Sequence, residues 1–234
     1  MKKITLKLSR KHSTSYKKFI QKPYKSVRNA KIGKLLQVND MEITPKDFEA
    51  LLRAIENKEY GDDTIRFFLL QITQNIIDDM YLDLSQEDEF IKHEQTIIDN
   101  FISQNTTLIK SLNMDTKKNI SMIIKDAINY NQTPLDIIPL IRKELDSTYF
   151  RAETIAITET NKLNGQINMN RMLSQGLNNA IWSSAKDKRV RKCHLARDNK
   201  TYDIVKGCYS ACDGRFLQVG QEIRCRCAMS IYIP

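Results

Sequence analysis

The first 192 residues of this 234-residue chain contain no cysteine; all five lie between Cys193 and Cys227. That excludes a disulfide framework for most of the chain and gathers every thiol, with His194, into one short stretch. Glycine and proline are scarce, at seven and five, which argues against long flexible linkers inside the body. No apolar run approaches the ~18 residues that cross a bilayer, so no membrane association is expected. The opening residues alternate apolar and basic and lack the apolar core of a secretory leader. Synthesis in a cytoplasm is the expectation, and reduced thiols there favour metal ligation over disulfides.

Acidic residues are missing from 1–35, which hold twelve Lys or Arg within a chain of net charge +9. The remainder is therefore slightly acidic, a near-neutral body with a basic arm. Lys2, Lys3, Lys7, Arg10, Lys11, Lys17, Lys18, Lys22, Lys25 and Arg28 are the candidate nucleic-acid contacts, interleaved with Tyr16, Phe19 and Tyr24. Each phosphate such a group neutralises releases counterions. An acidic protein surface, or solvent alone, would suit the same charges. Self-repulsion and weak hydrophobic periodicity predict an arm that is extended or disordered on its own.

A composition of 41% hydrophobic and 28% charged residues, with mean hydropathy −0.47, is that of a soluble protein with a sizeable core. From about 44 to 177 the pattern is helical. Thr44-Pro45 and Thr133-Pro134 read as caps followed by proline at the first helical position. Behind them run Phe48, Leu51, Leu52 and Ile55, and then Ile137, Ile138, Ile141 and Leu145. Ile65, Leu69, Ile72 and Ile76 mark another stripe after Gly61. Ser85 with Asp88 resembles a capping box, and Ile120, Ile123, Ile124 and Ala127 continue the series. These stripes predict a bundle core, or less simply a face for a partner helix. A further helix spans 148–175, ending near Gly176 in a left-handed turn.

Beyond Gly176 the pattern changes to short strands, at 180–184 and 227–233, with weaker candidates at 201–205 and 215–219. The fold class is therefore α+β, a mainly helical body followed by a long helix and a small cysteine-rich β-containing domain. The divisions are 1–35, 36–147 and 148–234.

Cys208-x-x-x-Cys212 and Cys225-x-Cys227 have spacings that tetrahedral zinc accepts, and His194 or Cys193 could contribute. In a strand Cys225 and Cys227 would face the same way. Cys208, Cys212, Cys225, Cys227 and His194 are thus the candidate zinc ligands. Two disulfides in an oxidising particle, or unligated thiols, also fit the spacing.

Arg151-Ala-Glu-Thr-Ile-Ala-Ile-Thr-Glu159 lies on the long helix, followed by Trp182, Asp187-x-Arg189-x-Arg191, His194, and the closing Cys225-Arg226-Cys227. In this order and spacing the segment 148–234 resembles the C-terminal domain of the phage Mu protein F-like minor head proteins, also called head morphogenesis proteins. The segment Lys206–Cys212 looks like an addition, and Glu222-Ile223-Arg224 stands where the family often carries proline. The resemblance implies a minor capsid protein of a tailed phage, resident in the virion after assembly in the host cytoplasm. Its implied partners are portal and capsid proteins, with the basic arm against packaged DNA. Arg151, Glu159, Trp182, Asp187, Arg189 and Arg191 would be structural. The alternative is a nuclease or transferase using His194, oriented by Asp187, with Arg189 or Arg191 on a phosphate.

Overall fold

The computed structural model describes residues 2–7, 9–29, 53, 60–80, 82–130, 132 and 134–233. The cap at Thr44-Pro45, the stripe Phe48–Ile55, and Thr133 lie outside these. The fold is α+β, as expected. In chain order it runs β1 (Lys2–Leu6), α1 (Arg10–Asn29), α2 (Asp62–Asp78), α3 (Asp88–Asn129), α4 (Pro134–Ser174), β2 (Asn179–Ser183), α5 (Lys192–Leu195), β3 (Thr201–Asp203), β4 (Cys208–Ser210), β5 (Arg215–Leu217) and β6 (Ala228–Ile233). Among the described residues no helix is long and apolar enough to cross a membrane.

The helices are longer than the sequence pattern suggests. The segments predicted near 88–101 and 120–128 are one 42-residue helix, α3. Those predicted at 134–145 and 148–175 merge into the 41-residue α4, which carries Pro139 in its interior. Polar positions such as Asn105, Asn113, Thr116 and Thr148 are buried inside these helices, and read from sequence they look like breaks. The hydroxyls of Thr116 and Thr148 bond each other at 2.9 Å, so burial leaves them satisfied. α4 ends as predicted. Gly176 adopts φ +71, its N–H bonds the Leu173 carbonyl, and the Leu177 N–H reaches back to Met172, which is the Schellman pattern.

The chain divides into two compact units. One comprises Tyr16–Phe67 and Asn105–Ile155. Its core is Tyr24, Ile120, Ile124, Ala127, Ile137, Ile141 and Leu145. Here Tyr16 donates to Asn105 at 2.7 Å and Tyr24 donates to Asn113.

The other unit comprises Met1–Ser15, Phe68–Gln104 and Ala156–Pro234. A four-stranded antiparallel sheet in the order β1-β6-β2-β3 lies at its heart, beside a separate β4-β5 hairpin. β6 is central, pairing Ile181 with Ser230 and Trp182 with Met229 on one side, and Ile4 with Ile231 on the other. Burial of Ala228 through Ile231 on both faces follows from that position.

The described part of the expected arm is therefore ordered. Residues 2–6 form an edge strand of the carboxy-terminal sheet, and 10–29 form a helix. Burial repeats along α1 at His12, Tyr16, Ile20 and Tyr24, one turn apart. Lys18, Lys22 and Lys25 are exposed on the other side. Two tyrosines and a histidine hide this periodicity from a reading that counts only aliphatic residues.

Candidate functional site

Three short segments of the sheet-containing unit converge. β2 supplies Trp182, which is fully buried. The single-turn α5 and the turn after it supply His194 and Arg197, at 3% and 1% exposure. The run entering β6 supplies Cys225, Arg226 and Cys227. Burial alternates there, with both sulfurs inside and Arg226 half exposed, the period-two pattern of extended chain.

His194 Nδ1 lies 3.2 Å from the Cys227 sulfur and 3.7 Å from that of Cys225. Its other nitrogen, Nε2, meets Glu222 Oε2 at 3.1 Å. Glu222 also accepts a 2.7 Å hydrogen bond from Arg197. Arg197 in turn donates to the Cys193 carbonyl at 3.2 Å, and its guanidinium stacks 4.1 Å from the Trp182 ring centre. Arg191 reaches Glu222 Oε1 at 3.4 Å and the Ile223 carbonyl.

The two sulfurs differ. Cys225 is held well below the usual thiol range, first by the hydrogen bond from the Cys227 side chain, with His194 adding to the effect against burial. Cys227 is pushed up by that same hydrogen bond and by burial. His194 is raised, first by its hydrogen bond to Cys225, with burial opposing and the Glu222 charge assisting.

His194, Cys225 and Cys227 form one cluster whose donor atoms all lie within 4.8 Å of one another. The other two candidate ligands are elsewhere. Cys212 is bonded to Cys193 across a separation of 19 residues, a pairing that spacing alone did not single out. Closing a loop of this length contributes about 3 kcal/mol on the chain-entropy account. Cys208 is a free, buried thiol of the core, and burial pushes its pKa up. An all-thiolate set of Cys208, Cys212, Cys225 and Cys227 is therefore not assembled.

Asp187 does not orient His194, as the enzyme alternative required; Glu222 takes that position. The Asp187 carboxylate instead accepts both Arg226 terminal nitrogens, one at 2.8 Å, and the Arg189 backbone N–H at 3.0 Å. Its pKa is strongly depressed, first by the Arg226 hydrogen bond, with burial opposing and the Arg189 N–H assisting. A depressed folded value means that the stabilisation is fully present above the usual carboxylate pKa of about 3.9 and is lost as pH falls through the folded value. The stability advantage over Asp187→Asn should therefore be full at neutral pH and shrink below about pH 4. Thermal melts across that range test this, and a difference that ignores pH rejects it.

Arg151 bonds Glu144 at 2.7 Å and Thr148 at 3.3 Å on its own helix. Glu159 bonds Lys162 at 2.8 Å. Of the arm cations, Lys3 donates to Asn199 at 2.9 Å, Lys11 pairs with Asp79 at 2.9 Å, and Lys17 with Glu153 at 2.9 Å. Lys7, Arg10, Lys18, Lys22 and Lys25 are exposed. Glu222 and Arg197 carried no sequence signal, because they meet each other across 25 residues and Glu222 meets Arg191 across 31.

Residues 118–230 match the model of the family described as Phage Mu protein F like protein. The match spans just under half of the chain, includes the whole His194–Cys225–Cys227 cluster, and bears out the resemblance read from the motifs. No curated protein and no solved structure matches the chain.

Proposed function

We propose that this protein is a head morphogenesis protein of a tailed bacteriophage: a minor capsid component, associated with the portal, that acts in head assembly or in genome packaging and delivery. The observation that carries the reading is the family match over the segment that contains the cluster. The cluster itself supports a structural role. His194 is buried and engaged on both ring nitrogens, and the adjoining cavity of about 20 Å³ has room for roughly one water. A substrate-sized cleft at His194 would be needed for the enzyme alternative.

The exposed lysines of α1 fit a contact with DNA or with an acidic protein wall. Lys18, Lys22 and Lys25 recur at i, i+4 and i+7 on a helix whose opposite side is buried. As phosphate contacts, their replacement by Glu should weaken binding of duplex DNA uniformly across sequences. It should also flatten the salt dependence by about one per lost contact.

The decisive experiment is removal of the gene from its phage. Heads assembled without the protein should be defective in DNA content or infectivity, and wild-type particles should contain it alongside the portal. Full infectivity without the protein, or its absence from purified particles, overturns the reading.

A further inference from the structure

The geometry points to a thiophilic metal site, for Zn2+ or an ion of like preference, made by His194 Nδ1 and the sulfurs of Cys225 and Cys227. A tetrahedral zinc ion sits about 2.05 Å from an imidazole nitrogen and about 2.3 Å from a thiolate, which sets each nitrogen-to-sulfur edge near 3.6 Å. The two observed edges, 3.2 and 3.7 Å, straddle that value. All three donor atoms also lie within 4.8 Å of one another, within reach of a single ion.

The surroundings agree. Metal-bound histidines usually donate their remote N–H to a carboxylate, which fixes the tautomer and leaves the other nitrogen's lone pair free for the ion. Glu222 occupies that remote position, 3.1 Å from Nε2, and is itself anchored by the buried Arg197. The cavity lined by the three donors together with Arg189, Arg191, Arg224 and Arg226 offers a fourth position wide enough for one water, and those guanidiniums favour the thiolate form of the two sulfurs that the ion requires. Two thiolates cancel the charge of a dication. Arg226, already held by Asp187, would then face a neutral centre.

This ligand set differs from the one that cysteine spacing suggests, because Cys208 and Cys212 take no part. The ion would tie α5 to the run entering β6. That joins the turn after β2 to the central strand, a link independent of the Cys193–Cys212 bond. The inference does not depend on a role in the phage head, and metal content is read without reference to particle assembly.

The test uses the full-length purified chain, equilibrated with Zn2+ under mild reducing conditions and then freed of unbound metal. Elemental analysis should find about one zinc per chain. Replacement by Co2+ should produce the thiolate charge-transfer band and intense visible absorption of a tetrahedral site. Cys225→Ser, Cys227→Ser and His194→Asn should each lose the metal, while Cys208→Ser keeps it. Glu222→Gln should retain binding with affinity weakened about 10- to 100-fold. A folded wild-type chain, verified by circular dichroism, that holds no zinc and gives no cobalt charge-transfer band overturns the proposal. So does a Cys225–Cys227 disulfide in the protein as isolated, or loss of metal in Cys208→Ser with retention in Cys225→Ser.

Discussion

Glu94→Gln should destabilise the folded chain by about 3–5 kcal/mol, measured by chemical denaturation. Glu94 and Arg171 are both buried and meet through two parallel hydrogen bonds of 3.0 Å each. The third arm of the guanidinium donates to the Leu82 carbonyl at 2.8 Å. Removing the carboxylate charge strands a charged guanidinium in a site largely closed to water. The pair's own net worth is a separate quantity, since two desolvated charges often only break even against apolar residues of similar volume. The double change Glu94→Leu with Arg171→Met should therefore recover most of the loss. It should still fall short of wild type by roughly 1–3 kcal/mol, because the Leu82 carbonyl is left without its donor. A single substitution costing less than about 1 kcal/mol would show that water reaches the pair.

This ion pair illustrates what the sequence could and could not show. The apolar stripes of α2, α3 and α4 were legible, since burial at Ile65, Leu69, Ile72 and Ile76 follows the helical period directly. Glu94 and Arg171 are 77 residues apart, and each alone reads as an exposed helical charge. Only their meeting makes burial tolerable. β1 was obscured for a different reason: Lys-Lys-Ile-Thr-Leu is too basic to register as a core strand. Its place is decided by the free edge of β6, with which it pairs from Lys2↔Ile233 to Leu6↔Met229. Pairing between the two ends of a chain has no local signature.

At the site the same division holds. The motif residues Trp182, Asp187 and His194 and the Cys225-Arg226-Cys227 run were singled out, and all belong to one neighbourhood. Their partners were assigned less well. Asp187 was matched to His194 by closeness in sequence, yet it holds Arg226, 39 residues away, because Arg226 points opposite to the cysteines that flank it. Cys208 and Cys212 were grouped by a familiar ligand spacing. The β4–β5 hairpin keeps Cys208 in the core, while Cys212, beyond the end of β4, bonds Cys193. Spacing states which donors can share an ion, and the strand register decides which do.

Two glycines let α4 and the 218–221 turn approach backbone to backbone, and their substitution tests that contact. A methyl group on Gly165 of α4 would stand 2.5 Å from the Val219 carbonyl oxygen. On Gly220, in the adjoining turn, it would lie 2.9 Å from the Asn161 carbonyl carbon, on a backbone with φ +85. Helix propensity alone favours Gly165→Ala by about 1 kcal/mol. The expected sign is the reverse, because the methyl group meets backbone, which cannot rotate away, and overpacking costs about 1–3 kcal/mol. Gly220→Ala should be worse, about 3–5 kcal/mol, since strain from a left-handed residue adds to the collision. Both changes push the 218–221 turn off the same stretch of α4. The double variant should therefore cost less than the sum of the singles, the coupling expected of a shared displacement. Denaturation curves for the three variants decide the matter. A stabilised Gly165→Ala, or strict additivity, would mean that helix and turn are not in backbone contact.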